Sequence, residues 1–154
     1  LRYIRGNSRV HDLAKLNLIK LSVGTDCVEN LVRWQAGRRA QAPDGLPRHI
    51  TRMGPRRADE VLEGGSIYWV IQGFVQCRQR ILRFDEVTGQ DGIRRCAFVL
   101  DPEIVRTTAA RRKPFQGWRY LQPGDAPADL PASRCEDDAL PAGMSAALAE
   151  IGVI

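Results

Sequence analysis

The chain is expected to adopt an α+β fold, with a curved, mostly antiparallel sheet that curls toward a barrel and two flanking helices. Three observations lead there. Two segments with helical apolar spacing precede Gly65, extended and β-branched runs crowd the stretch from Ser66 to Leu121, and 44% of the 154 residues are hydrophobic, enough for one ordinary core.

The first element is a strand at NLIKLSV, residues 17 to 23, with Leu18, Lys20 and Ser22 on one face and Ile19, Leu21 and Val23 on the other. Thr25 or Asp26 then caps a helix through VENLVRWQAGRRAQ, where Val28, Leu31, Val32 and Gln35 form an apolar stripe edged by Trp34. APDG at 42 to 45 ends it, and RHITRM supplies a short strand. Pro55 opens a second helix, PRRADEVLEGG, that buries Ala58, Val61 and Leu62 and stops at Gly64 and Gly65.

SIYWVIQ, residues 66 to 72, is dense in β-branched and aromatic residues and reads as a strand buried on both faces. Gly73 marks a bend rather than a reversal, since no second turn residue adjoins it. The extended pattern resumes in FVQCRQRILRFDEV, with Val75, Cys77, Gln79 and Ile81 on one side and Phe74, Gln76, Arg78, Arg80 and Leu82 on the other. The Asp-Gly of TGQDG sets a hairpin into IRRCAFVL, EIVRTT adds a short strand, and RRKPFQGWRYL forms a last strand or structured loop. Leu1 to Leu16 are set aside as an extension expected to be disordered. The domain spans 17 to 122, and the Pro-, Ala- and Asp-rich stretch 123 to 154 reads as a flexible tail in which MSAALAEI forms a helical turn or two.

Charge is uneven along the chain. Residues 1 to 47 carry eight basic and four acidic groups, 48 to 119 fourteen and eight, and 120 to 154 one and six, so a basic body ends in an acidic segment. Twenty of the 23 basic residues are arginine, which suits bidentate phosphate contact and is also what a GC-rich genome would encode. Cys27, Cys77, Cys96 and Cys135 fit no zinc or CxxC spacing and read as free thiols in a reduced compartment. With two histidines, His11 and His49, neither a histidine-dependent metal site nor a Ser-His-Asp arrangement is expected, and no cofactor is implied. No apolar run reaches the ~18 to 20 residues needed to cross a bilayer, and the basic start lacks an apolar signal core, so a cytoplasmic protein is expected.

The strongest constellation interleaves arginines with aromatics: Arg52, Arg56 and Arg57, Tyr68 and Trp69, Arg78, Arg80 and Arg83, then Phe115, Trp118, Arg119 and Tyr120. Single-stranded nucleic acid is held by such mixtures, since bases stack on rings while guanidinium groups neutralise phosphates. The plainer alternative is that the rings fill a core and the arginines solvate a sheet face. Tyr68 and Trp69, as neighbours in one strand, face opposite ways. Arg56 and Arg57 would occupy the first turn of the second helix, where an anion would offset their unfavourable place on the macrodipole. Asp59, Glu60 and Glu63 read as surface ion-pair partners, Glu63 toward Arg56 or Arg57. Asp85 and Glu86 serve as acid or base only if buried.

NLIKLSVG, RRADEVLEGGSIYWVIQG, FVLDPEIV and RKPFQGWRYL together resemble a bacterial family catalogued only as a domain of unknown function, over about residues 17 to 130. The resemblance implies a start near Asn17 and no activity. More distantly, the order of elements is similar to the PUA and ASCH group of RNA-associated barrels, some of which hydrolyse modified nucleosides with a lysine, a threonine and a glutamate. The lysine that group would place after the helix is absent, since Ser66 and Ile67 follow Gly65, which favours binding over catalysis. The expected function is therefore non-catalytic binding of RNA or another polyanion through Arg52, Arg56, Arg57, Tyr68, Trp69, Arg78, Arg80, Trp118 and Arg119. The alternatives are a small hydrolase of a nucleotide-like substrate using Asp85 or Glu86, or a protein-interaction module.

Overall fold

The computed structural model describes residues 16–131. Expectations for residues 1–15 and 132–154, including the MSAALAEI helix and Cys135, lie outside the described residues. Along the chain run β1 (Asn17–Leu21), α1 (Val28–Arg39), β2 (Arg48–Thr51), the one-turn α2 (Ala58–Val61), β3 (Ser66–Ile71), β4 (Phe74–Thr88), β5 (Arg94–Leu100), β6 (Val105–Arg111), β7 (Trp118–Leu121) and a 3-10 turn at Pro123–Asp125. The strands form one sheet in the order β2-β5-β4-β3-β1-β7, with β6 paired to β4 off that path. Among the described strands only β1 and β3 pair parallel. The α+β expectation holds, but among the described residues the sheet does not close, because β2 and β7 stand at its two ends.

The long strand β4 supplies the curvature. Its first half pairs with β3 and β6, and from Ile81 onward it pairs with β5. Two bulges bend it: Gln76 has no partner between the pairs Trp69–Cys77 and Val70–Val75, and Leu82 has none between Ile81–Leu100 and Arg83–Val99. Each extra residue inverts the alternation. Val75, expected beside Cys77, Gln79 and Ile81, instead turns to the opposite face with Tyr68 and Val70, and Phe84 turns inward to meet Phe98 with ring centroids 5.1 Å apart.

β5 and β2 thereby fold over one face of β3 and β1. Between these layers lies the main core, in which Leu18, Ile67, Trp69, Ile81, Phe98 and Leu100 pack with Val28 and Leu31 of α1 and Val61 of α2. A smaller cluster of Ile19, Tyr68, Val70, Val75 and Leu121 occupies the other face, under Phe115 and Ala126. Tyr68 and Trp69 do face opposite ways, and each belongs to a core.

Several boundaries differ from expectation for local reasons. Cys27, with extended backbone, is the N-cap of α1, while Thr25 hydrogen-bonds Ser22 and Asp26 accepts from Gln72. Val32, placed on the stripe, is exposed because α1 buries only Val28, Leu31 and Gln35. The second helix shrinks to one turn, since Arg57 lies outside helical dihedrals (φ −96°, ψ 40°) and Gly64 leaves the helix at φ 104°. Leu16, assigned to the extension, is buried. Residues 123 to 130, assigned to the tail, run beside β6: Thr107 bridges Asp129, and the Leu130 N–H donates to the Arg106 carbonyl at 2.9 Å. Among the described residues no helix is long and apolar enough to cross a membrane.

Gly73 corrects the reading most sharply. Gln72 (φ 53°) and Gly73 (φ 84°) are both left-handed and Ile71 faces Phe74, so the pair is a two-residue reversal of the type I′ class. Glutamine is not a usual residue there, which is why the turn was not legible. Replacing Gln72 with Asn, which tolerates this conformation, is expected to stabilise the fold by about 0.5 kcal/mol, a gain that outweighs the exposed 3.1 Å bond from Gln72 to Asp26. An unchanged or lower thermal midpoint would contradict this.

Candidate functional site

The open side of the sheet, between β2 and the β1–β7 edge, is built by short-range geometry. On β7, Trp118 and Tyr120 alternate onto the same face, with ring centroids 5.1 Å apart at 80°. Both reach across the opening. The Trp118 indole N–H donates to the Met53 carbonyl at 2.8 Å, and the Tyr120 hydroxyl accepts from the Arg57 N–H at 3.1 Å. These two bonds hold the segment after β2 against β7 where no strand pairing does.

A cleft of about 440 Å³ results, lined by Arg52, Met53, Arg56, Trp118 and Tyr120 with Thr51, Gly54 and Gly117. Among the described residues no aspartate or glutamate lines it. Among the described residues Arg52 and Arg56 have no ion-pair partner. Arg57 is adjacent but committed, its guanidinium 5.5 Å from the Tyr120 ring and held by Glu60 at 2.7 and 2.8 Å. Glu60, rather than Glu63, is thus its partner, and a one-turn helix offers no N-terminal anion site for Arg56 and Arg57.

The other residues proposed from the sequence are not brought to this cleft. Trp69 is buried in the core. Arg78, Arg80 and Arg119 lie opposite Tyr68, Ser66 and Ile19 in register, on the far face of the sheet. There Arg78 is clamped by Asp129 at 2.6 and 2.8 Å, and Arg119 lies 5.0 Å over Phe115. Trp118, expected to be an exposed ring, is half-buried against Phe98.

A second cleft, of about 380 Å³, adjoins the first. Lys20 lines it, and Lys20 stands directly opposite Trp118 in the β1–β7 register. Its walls include Trp34, Arg48 and His49, again without a carboxylate among the described residues. Beneath them a closed set of amide bonds joins three elements. Gln79 Oε1 accepts from Trp69 Nε1 (2.9 Å) and Gln35 Nε2 (2.8 Å), while Gln79 Nε2 donates to Gln35 Oε1 (2.7 Å) and the Asp101 carbonyl (3.0 Å). Sequence reasoning did not single out this pair, although two glutamines at core positions of a helix and a strand are a readable signal. His49 packs edge-on against Trp69 and Phe98, and its Nε2 is the one buried side-chain nitrogen or oxygen without a partner among the described residues. Burial, then the Lys20 charge, pulls its pKa down to about 4.

A family model described as Protein of unknown function (DUF1489) matches residues 18–154. The chain belongs to that family. No curated protein and no solved structure matches it. In this DUF1489 chain the matched region takes in both clefts and begins inside β1.

The acidic pair at the end of β4 has a different setting. Asp85 and Glu86 border an open surface cleft together with Arg52, Arg94 and Arg95. Arg83 donates to Asp85 at 3.0 Å, and Glu86, 65% exposed, pairs with Arg94 at 3.1 Å. This is the geometry of surface ion pairs. Cys27, Cys77 and Cys96 are free thiols, and burial pushes Cys77 up to about 12, so it is not a ready nucleophile.

Proposed function

We propose that the chain is a cytoplasmic, non-catalytic RNA-binding domain whose groove runs along the open side of the sheet. One observation carries the reading: among the described residues two arginines without an ion-pair partner, Arg52 and Arg56, share with Trp118 and Tyr120 a cleft that no carboxylate lines. Guanidinium groups beside aromatic edges suit the phosphates and bases of a single strand, and a site without carboxylates does not repel it. The curl of the sheet over its own core supports the kinship with PUA-like barrels, as a variant left open between β2 and β7.

The test is a fluorescence titration of the whole chain with a short single-stranded oligoribonucleotide at two salt concentrations. Affinity should fall steeply with salt. The double variant Arg52→Glu/Arg56→Glu, on exposed side chains, should bind at least tenfold more weakly, about 1.4 kcal/mol, with an unchanged unfolding midpoint. Salt-independent binding, or full affinity in the double variant, would refute the groove.

A further inference from the structure

The cleft at Lys20 has properties that strand binding along the arginine groove does not use. Lys20 projects from β1 onto the core face, where burial lowers its pKa, and it has no ion-pair partner among the described residues. Arg48 pairs with Asp44 at 2.8 Å, and the same carboxylate oxygen also serves Arg83 at 2.9 Å, which Asp85 holds in turn, so Lys20 is the cation of this wall without a carboxylate among the described residues. A half-buried ammonium without a counter-ion is costly, and a bound anion would offset that cost. The Ser22 and Thr25 hydroxyls, bonded to each other at 2.7 Å with Thr25 also donating to the Ser22 carbonyl at 3.1 Å, give the same wall a polar surface.

The cleft is also larger than an inorganic anion requires. Its roughly 380 Å³ falls in the range of small-molecule sites, about 300 to 1,000 Å³. At its rim Trp34 leaves 54% of its surface exposed, steadied by the Arg38 guanidinium 5.0 Å from the ring, as a stacking platform would be. His49, its pKa lowered to about 4 by burial and then by the Lys20 charge, adds a neutral ring rather than a charge to the wall, and its buried Nε2 lacks a partner among the described residues. The floor of Gln35 and Trp69 is tied by hydrogen bonds to the buried Gln79 and gives a fixed base.

We propose that this cleft is a separate site for a nucleoside monophosphate group, its phosphate held by Lys20 and Arg48 and its base laid on Trp34. The group is either a free nucleotide or the phosphorylated end of a strand lying in the arginine groove. Only the second source rests on the RNA-binding reading.

Adenosine 5′-monophosphate and adenosine serve as probes in titrations followed by tryptophan fluorescence, with thermal unfolding as the control for folding. The nucleotide should bind at least tenfold more tightly than the nucleoside. Lys20→Gln should remove most of that difference, and Trp34→Ala, at an exposed position, should weaken both ligands together. Equal binding of the two ligands, no nucleotide binding by the native chain, or unchanged nucleotide affinity in Lys20→Gln would overturn the site. A 5′-phosphorylated oligoribonucleotide preferred tenfold over its 5′-hydroxyl form identifies the strand end as the source, and equal oligonucleotide affinities alongside nucleotide binding identify the free nucleotide. An oligoribonucleotide that binds while the nucleotide does not overturns this site and leaves the groove standing, whereas the reverse result removes the groove and keeps the site.

Discussion

Replacing Gln79 with Leu is expected to destabilise the fold by about 3 kcal/mol, from two or more buried polar groups left without partners at roughly 1 to 3 kcal/mol each. Gln79 is fully buried and its amide makes four hydrogen bonds, to Trp69, twice to Gln35 and to the Asp101 carbonyl. Leucine matches the shape and supplies none of them. The Trp69 indole N–H and the whole Gln35 amide would then be orphaned in the core. Against a typical stability of about 5 to 15 kcal/mol, that loss should lower the unfolding midpoint by roughly 10 °C. The double variant Gln35→Leu/Gln79→Leu should be less damaged than the sum of its single variants, because removing both amides removes both unmet demands. Denaturant unfolding of the three variants tests this, and a loss below about 1 kcal/mol in Gln79→Leu would mean the amide pair does not hold α1 to the sheet.

Gly65→Ala is expected to be comparably severe, for a steric reason. A Cβ on Gly65 would lie 2.2 Å from the Leu16 carbonyl oxygen and 2.5 Å from that of Val61, both backbone atoms that no rotamer change can move. The chain is fixed at this point, since the Gly65 N–H donates to Val61 at 2.7 Å and the Gly65 carbonyl accepts from Ile81 at 3.1 Å. Relief would require β1 and β3 to separate at their start, where Asn17 Oδ1 also takes the Ser66 N–H at 2.9 Å. Overpacking of this kind costs typically 1 to 3 kcal/mol and more against backbone, so about 3 kcal/mol is expected. Gly37→Ala provides the contrast. That glycine sits in α1 with open space around its Cβ position, and alanine there should stabilise by about 0.5 to 1 kcal/mol. Equal effects of the two substitutions in thermal unfolding would contradict the contact at Gly65.

Much of the fold was legible because its signals are local. The β-branched run at 66 to 71, the Asp-Gly hairpin before β5 and the helical spacing of Val28, Leu31 and Gln35 on α1 depend on side-chain periodicity and turn chemistry within a few residues. Errors gathered where local preference was overridden. Gln72 takes a left-handed turn conformation that glycine or asparagine would advertise, and the bulges at Gln76 and Leu82 invert a period-2 pattern that has no mark of its own in the sequence. Residues 123 to 130 look like linker by composition and are ordered by a partner strand some twenty positions earlier.

For the candidate site the division is sharper. The sequence by itself determined which chemistry was available: many arginines, few lysines, aromatics at Trp118 and Tyr120, and no motif for metal or nucleophilic catalysis. It also determined that Tyr68 and Trp69 could not form one platform, because neighbours in a strand point apart. Which arginines meet was decided only by the tertiary structure. Side-chain direction within a strand follows from parity, but the approach of Arg52 and Arg56 to Trp118 depends on how far β4 bends and on the two hydrogen bonds from β7 to Met53 and Arg57. The same bend carries His49 and Arg48 over Lys20, residues separated along the chain and made neighbours by the curl of the sheet over its core.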